Sequence, residues 1–300
     1  MSDFIERWSP NFDERSLPIS MIILHYTGMK TGAEAIDWLA DPEAKVSAHY
    51  VVSEDGQITH MVPEDKRAWH AGKSHWRGIS DINSASVGIE IVNPGHEWGY
   101  LPFPDPQVAS VVRLVHMIKD RHAITRGNVV GHSDIAPTRK QDPGELFPWE
   151  ELARRRLALP RPTKKLTDPL WTDAGFLLAL ERFGYDVTDG FAATVAFQRR
   201  FRPELIDGTI HGECRAILLA LLLPQPEGNL LVKPVRKAYN HSRQRVGRSP
   251  PRKRGRKVRA PRKPRCRITS GGPVFGSVQG KCHREQTAKG FGPAKGERVR

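Results

Sequence analysis

The chain has 300 residues, 38% of them hydrophobic, enough for one sizeable domain and a smaller one. Its net charge of +14 is unevenly placed: residues 231–300 carry 22 Lys and Arg against 2 Asp and Glu, so residues 1–230 are mildly acidic. Three cysteines, Cys214, Cys266 and Cys282, are too few and too scattered for a disulfide framework or a Cys-based zinc finger, and no stretch is long and apolar enough to span a bilayer.

The opening residues, MSDFIERWSPNFDERSLPIS, lack the basic start and apolar run of a secretory signal, so the expected setting is cytoplasmic, with a periplasmic one as the alternative. MIILHYT (Met21–Thr27) is apolar and β-branched and reads as the first strand. GAEAIDWLA (Gly32–Ala40) follows as a helix. HYVVSEDGQITHMV (His49–Val62) reads as a hairpin about the favoured turn pair Asp55-Gly56. SVGIEIVN (Ser86–Asn93) and NVVGHSD are further strands, with His132 at the end of the second. Between them Val108, Val111, Val112, Val115 and Ile118 recur at helical spacing behind Asp105-Pro106. PWEELARRRL closes the domain. This mixture predicts an α/β fold, a mixed central sheet flanked by helices, over residues 1–160. A Pro-rich charged linker spans 161–169. Three amphipathic helices, within DAGFLLALERFGY, GFAATVAFQRRF and GECRAILLALLL, predict a small all-α domain over 170–224, close to the lower size limit for an independent core. Residues 225–300 are rich in Arg, Lys, Pro and Gly, and are expected to be a disordered basic tail. Such a tail binds polyanions without sequence specificity; a plain extension, arising by frameshift or read-through, is the blander alternative.

The chemistry concentrates in VVGHSDIAPTRKQDPG (Val129–Gly144) and in the first strand. His25 sits at a strand end, where such sheets present ligands. With His132 and Asp142 it offers two imidazoles and one carboxylate, a set that suits zinc with a fourth position open for water. Alternation in GIEIV puts Ile89 and Ile91 on one face and Glu90 beside Gly88 on the other, so Glu90 could exchange a proton with that water. Lys140 could stabilise an oxyanion. The same residues also admit a structural reading: hydrogen-bonded histidines, an edge-strand Glu90, a solvated Lys140. No compact signature such as H-E-x-x-H decides between them.

The segments ILHYTGM, SAHYVVSEDGQITHMVPEDKRAWHAGKSHWRG, NSASVGIEIVN and VVGHSDIAPTRKQDPG resemble, in order, the zinc-dependent N-acetylmuramoyl-L-alanine amidases, the type-2 amidases related in fold to peptidoglycan recognition proteins. The resemblance covers roughly Met21 to Leu157. It implies Zn2+ held by His25, His132 and Asp142, with Glu90 and Lys140 catalytic. The implied reaction is hydrolysis of the amide between the lactyl group of N-acetylmuramic acid and L-alanine, in peptidoglycan or (anhydro)muropeptides, during cell-wall turnover and recycling. Trp69, His70, His75 and Trp76 become candidates for the substrate groove, and Asn93 for a hydrogen bond to substrate. RFGYDVTDGFAATVAFQRRFRPELIDGTIHG resembles the small peptidoglycan-binding domain through its Gly-Tyr, Ala-Phe-Gln and Asp-Gly landmarks. A monomer is expected. Two alternatives stand beside this enzyme: a catalytically silent peptidoglycan-binding protein, and a nucleic-acid-binding protein resting on the tail alone.

Overall fold

The computed structural model describes residues 4–163 and 166–223; the tail expected over 225–300 lies outside the described residues. The strands are β1 (Phe4–Glu6), β2 (Phe12–Glu14), β3 (Met21–Tyr26), β4 (Tyr50–Val52), β5 (Ile58–His60), β6 (Lys66–Ala68), β7 (Ser86–Ile91) and β8 (Val129–Gly131). The helices are α1 (Gly32–Ala40), α2 (Ile82–Ala85), α3 (Gly95–Trp98), α4 (Asp105–Arg121), α5 (His132–Ile135), α6 (Trp149–Arg154), α7 (Asp173–Phe183), α8 (Gly190–Phe201) and α9 (Gly212–Leu222).

Six strands form a mixed sheet in the order β1-β5-β4-β7-β3-β8, and β2 pairs with β6 in a separate antiparallel ribbon. Strands β4, β7, β3 and β8 run parallel, and β5 turns back along β4. The near-continuous apolar runs of β3 and β7 suit central strands covered on both faces. On one face Ile22, Leu24, Val87, Ile89 and Ile91 pack with Val111, Val115 and Ile118 of α4. On the other, Met21 and Ile23 enter a second cluster. The β4–β5 hairpin turns at Asp55-Gly56. Gly56 sits at φ +87°, and a Cβ there would lie 2.6 Å from the Pro106 carbonyl oxygen, so only glycine lets the turn abut the start of α4.

Two features differ from the sequence expectation. The strand ending the NVVGHSD stretch stops at Gly131, and His132 begins the one-turn helix α5. The Asp134 carboxylate accepts the Gly131 N–H at 2.8 Å and closes that turn. Strands β1, β2 and β6 have three residues each, too short to print an alternation.

The helical region does not carry its own separate core. Phe176, Leu180, Phe183, Tyr185, Phe197, Phe201 and Leu218 belong to one buried cluster with Met21, Ile23, Trp76, Val130 and Ile135 of the sheet side. This continuity answers the problem of size that three short helices pose alone. Within the region, Gln198 folds the 207–209 loop: its Oε1 accepts the Asp207 and Gly208 N–H groups, and its Nε2 donates to the Asp207 carboxylate and the Thr209 carbonyl. Among the described residues no helix is long and apolar enough to cross a membrane.

Candidate active site

The parallel strands β3 and β7 end together, and β8 ends beside β3. In register, His25 of β3 lies beside Glu90 of β7, and Leu24 beside Gly131, which precedes His132. The chain therefore delivers two histidines and a glutamate to the carboxyl edge of one sheet, where open α/β sheets bind ligands. The loop after α5 returns Asp142 to the same edge: the Ser133 N–H donates to the Asp142 carbonyl at 2.9 Å.

There three atoms converge. His25 Nδ1 and His132 Nδ1 are 2.9 Å apart, and each is 3.0 Å from Asp142 Oδ2. All three side chains are buried. The surrounding hydrogen bonds fix which ring nitrogens carry protons. The Ser86 hydroxyl donates to the Ile82 carbonyl at 2.6 Å, so its oxygen must accept from His70 Nε2–H at 3.2 Å. His70 Nδ1 is then bare and accepts from His25 Nε2–H at 3.0 Å. On the other side, His132 Nε2–H donates to the Ala71 carbonyl at 3.1 Å. In the neutral rings both Nδ1 atoms are left without protons, facing a carboxylate oxygen. Three mutually facing acceptors repel unless a cation or shared proton sits among them. The residues thus fit a metal ion, with second-sphere bonds holding each imidazole in its tautomer. Burial and the neighbouring His132 push His25 down to about 4, so it stays neutral as a metal ligand must. Burial alone would raise the Asp142 carboxyl, but His132, and a proton shared between the carboxylate and the two imidazoles when no cation is bound, hold it well below the usual carboxylate range.

Glu90 Oε2 is buried without a hydrogen-bond partner. Burial, reinforced by Asp142 and opposed by Lys140, raises its carboxyl well above the ordinary value. Gly88, two residues earlier on the same face, leaves room for His70: a Cβ there would lie 2.5 Å from the imidazole. His25, His132, Asp142, Glu90 and Lys140 line one cavity of about 430 Å³, together with Tyr26, Trp38, Trp69, His70 and Arg139.

The other candidates separate. Trp69 and His70 stand in this cavity, His70 as the group that orients His25. His75 lines a second cavity of about 800 Å³ between the 135–139 loop and the helical region, not the cavity holding His25 and Glu90. Trp76 is a core residue against Phe183 and Tyr185. Asn93 is buried and committed to structure, donating to the Leu101 carbonyl and accepting the Gly95 N–H. Sequence reasoning passed over Ser86, which ends the histidine relay, and Arg139, whose guanidinium holds the Ala71 and Lys73 carbonyls at the cavity wall. It also passed over Trp38, which is half exposed on α1 and lines the cavity. The available signal for Trp38 was an aromatic outside the Ala35–Leu39 apolar stripe of that helix.

A buried acceptor trio able to hold a cation, with a free carboxylate and a lysine in the same cleft, defines a hydrolase-type centre on a mixed α/β sheet. Comparison with known proteins narrows the class. Residues 15–145 match the family model described as N-acetylmuramoyl-L-alanine amidase. The chain is 35% identical over 231 residues to the N-acetylmuramoyl-L-alanine amidase AmiD of Escherichia coli, covering 68% of this chain and 82% of that one. It is also 35% identical over 170 residues to the 1,6-anhydro-N-acetylmuramyl-L-alanine amidase AmpD of Haemophilus influenzae, covering 50% of this chain and 90% of AmpD. The solved E. coli AmiD, in complex with anhydro-N-acetylmuramic acid-L-Ala-D-gamma-Glu-L-Lys, superposes with a TM-score of 0.62 at 32% identity, covering 71% of this chain and 97% of that one. The chain belongs to the N-acetylmuramoyl-L-alanine amidase family.

Proposed function

We propose that this chain hydrolyses the amide between the lactyl group of N-acetylmuramic acid and L-alanine in muropeptides or peptidoglycan, using zinc held by His25, His132 and Asp142, in cell-wall turnover and recycling. The observation that carries the reading is the trio of proton-free acceptors within 3.0 Å of one another, with Glu90, whose Oε2 is buried and unpartnered, lining the same cavity. The substrate class is supported by AmiD, which was solved with an anhydromuropeptide.

Zinc bound there would lower the pKa of a coordinated water toward about 7 and polarise the scissile carbonyl. Glu90 takes the proton of the attacking water, a role suited to a carboxylate whose proton affinity burial has raised. It then returns that proton to the L-alanine nitrogen as the C–N bond breaks. Lys140, half-buried at the same wall, neutralises the charge that develops on the carbonyl oxygen. Trp69 lines the same cavity and is the aromatic candidate for contact with sugar or peptide. The helical region acts in addition as a wall-binding module, a reading that rests on its resemblance to the small peptidoglycan-binding domain; the landmarks themselves serve the fold, Gln198 closing the Asp207-Gly208 turn.

The test incubates the purified full chain with anhydro-muropeptides and, separately, with intact sacculi, and reads the products by mass spectrometry. Stem peptide beginning at L-alanine, lost with chelator and restored by zinc, is the expected result. Binding of sacculi with no cleavage of either substrate overturns it.

A further inference from the structure

The helical region reaches the active site through a buried carboxylate. Helix α5 is a single turn with His132 as its first residue. One turn of helix has no stability of its own, so its orientation must come from outside. Asp134, two residues after His132, is 1% exposed. Its Oδ2 accepts the Gly131 N–H at 2.8 Å, and its Oδ1 accepts the Tyr185 hydroxyl at 2.5 Å. A carboxylate this deeply buried is costly without partners. The partners beyond Gly131 come from the helical region: the Tyr185 hydroxyl, and the buried Arg200 guanidinium of α8 as attractive charge.

Tyr185 is itself clamped. The Arg77 N–H donates to the Gly184 carbonyl, and Arg77 Nε donates to the Phe183 carbonyl, both at 3.0 Å. The Tyr185 ring lies edge-on to Trp76, with centroids 5.1 Å apart. The neighbouring His75 N–H donates to the Ile135 carbonyl at 2.8 Å, at the far end of α5. The contacts close a ring: 183–185 to Trp76 and Arg77, to His75, to Ile135, to Asp134, and back to Tyr185. Both ends of the turn are gripped. The same turn holds the Asp142 backbone through Ser133, so its orientation sets His132 and Asp142 together. A binding module tethered by a linker needs none of these bonds.

We propose that Tyr185 is a positioning residue of the amidase centre: through Asp134 it fixes the turn that presents His132, making the helical region part of the catalytic scaffold. This rests on the zinc-amidase reading above. In the full-length protein, Tyr185→Phe removes one hydroxyl and keeps the ring packing. Zinc affinity is measured by competition with a chromophoric chelator, alongside melting of the metal-free protein and kcat and KM on an anhydromuropeptide. The expected result is zinc affinity about tenfold weaker, the low end of the range for outer-shell partners, and kcat lowered at unchanged KM. The control is Phe176→Leu, which loosens the helical core beside Phe197; it should lower the melting temperature and leave zinc affinity within twofold of wild type. Tyr185→Phe binding zinc as wild type does, or Phe176→Leu weakening it equally, overturns the inference alone. A wild-type chain that binds no zinc overturns the amidase reading as well.

Discussion

Ser86→Ala perturbs the direction of the histidine relay without touching a converging atom. In the wild type the Ser86 oxygen accepts His70 Nε2–H, which leaves His70 Nδ1 to accept from His25 Nε2–H and His25 Nδ1 bare. With alanine at 86, the metal-free protein relieves the orphaned His70 N–H by moving the protons: His70 Nδ1–H donates to His25 Nε2, and His25 carries its proton on Nδ1. That tautomer suits the metal-free trio, because Asp142 Oδ2 accepts the proton 3.0 Å away. Metal binding must reverse it and strand a buried N–H, a penalty of about 1–3 kcal/mol. Each 1.4 kcal/mol is tenfold, so zinc affinity falls by about 5- to 150-fold. Losing the Ser86–Ile82 hydrogen bond lowers metal-free stability by about 1 kcal/mol besides. Chelator competition measures the first effect and urea unfolding of the metal-free protein the second. Reduced stability with zinc affinity within twofold of wild type would refute the tautomer argument.

Glu90→Gln should lower kcat by about 10²- to 10⁴-fold, the range for a lost general acid–base, with zinc affinity little changed; equal loss of metal would make Glu90 a ligand instead. Lys140→Ala should lower kcat by about 10²- to 10³-fold at nearly constant KM, and a rise in KM alone contradicts oxyanion stabilisation. A third substitution tests the scaffold. Burial raises the Glu64 carboxyl, but Arg121, His122 and Tyr50 outweigh it and bring it from 4.5 to about 2. The depression corresponds to at most about 3 kcal/mol. Because the folded-state value is the lower one, that stabilisation is complete above about pH 4.5 and vanishes as pH falls through about 2. Glu64→Gln should therefore be less stable than wild type by about 2–3 kcal/mol in urea at pH 7, and the gap should close on acidification; a gap constant down to pH 2 contradicts it.

What the sequence made legible follows from length and periodicity. Helix α4, with seventeen residues and five apolar positions on one stripe, prints its pattern clearly, as do the six-residue strands β3 and β7. The short strands β1, β2 and β6 and the one-turn helices lie below any period and are set by tertiary bonds instead: α5 exists because Asp134 caps Gly131, not because HSDI favours a helix. For the site, the strand patterns were enough to put His25 at a strand end and Glu90 on the face opposite Ile89 and Ile91, but the parallel register that sets the two side by side came from the fold. It was not enough for Asn93 or Trp76. Polar and aromatic side chains near a groove look alike in sequence whether they face ligand or a backbone carbonyl, and Asn93 faces the Leu101 carbonyl.

At the boundary between amidase and helical region, packing adds what composition does not carry. Pro and charge at 161–169 signal a linker, and a linker suggests two bodies. Yet Phe183, Tyr185, Phe197 and Phe201 have apolar partners across it in Trp76, Val130 and Ile135. Three helices of 11, 12 and 11 residues lie near the lower size limit for an independent core, and here these aromatics share one cluster with the sheet side. The aromatic excess, concentrated on the residues just before and within α8, was the sequence sign that this bundle would borrow its core from the sheet. Once it does, the polar groups caught in the seam must be paired as strictly as in any interior. The Tyr185–Asp134 bond is that pairing, and it falls two residues from His132 because α5 lines the seam.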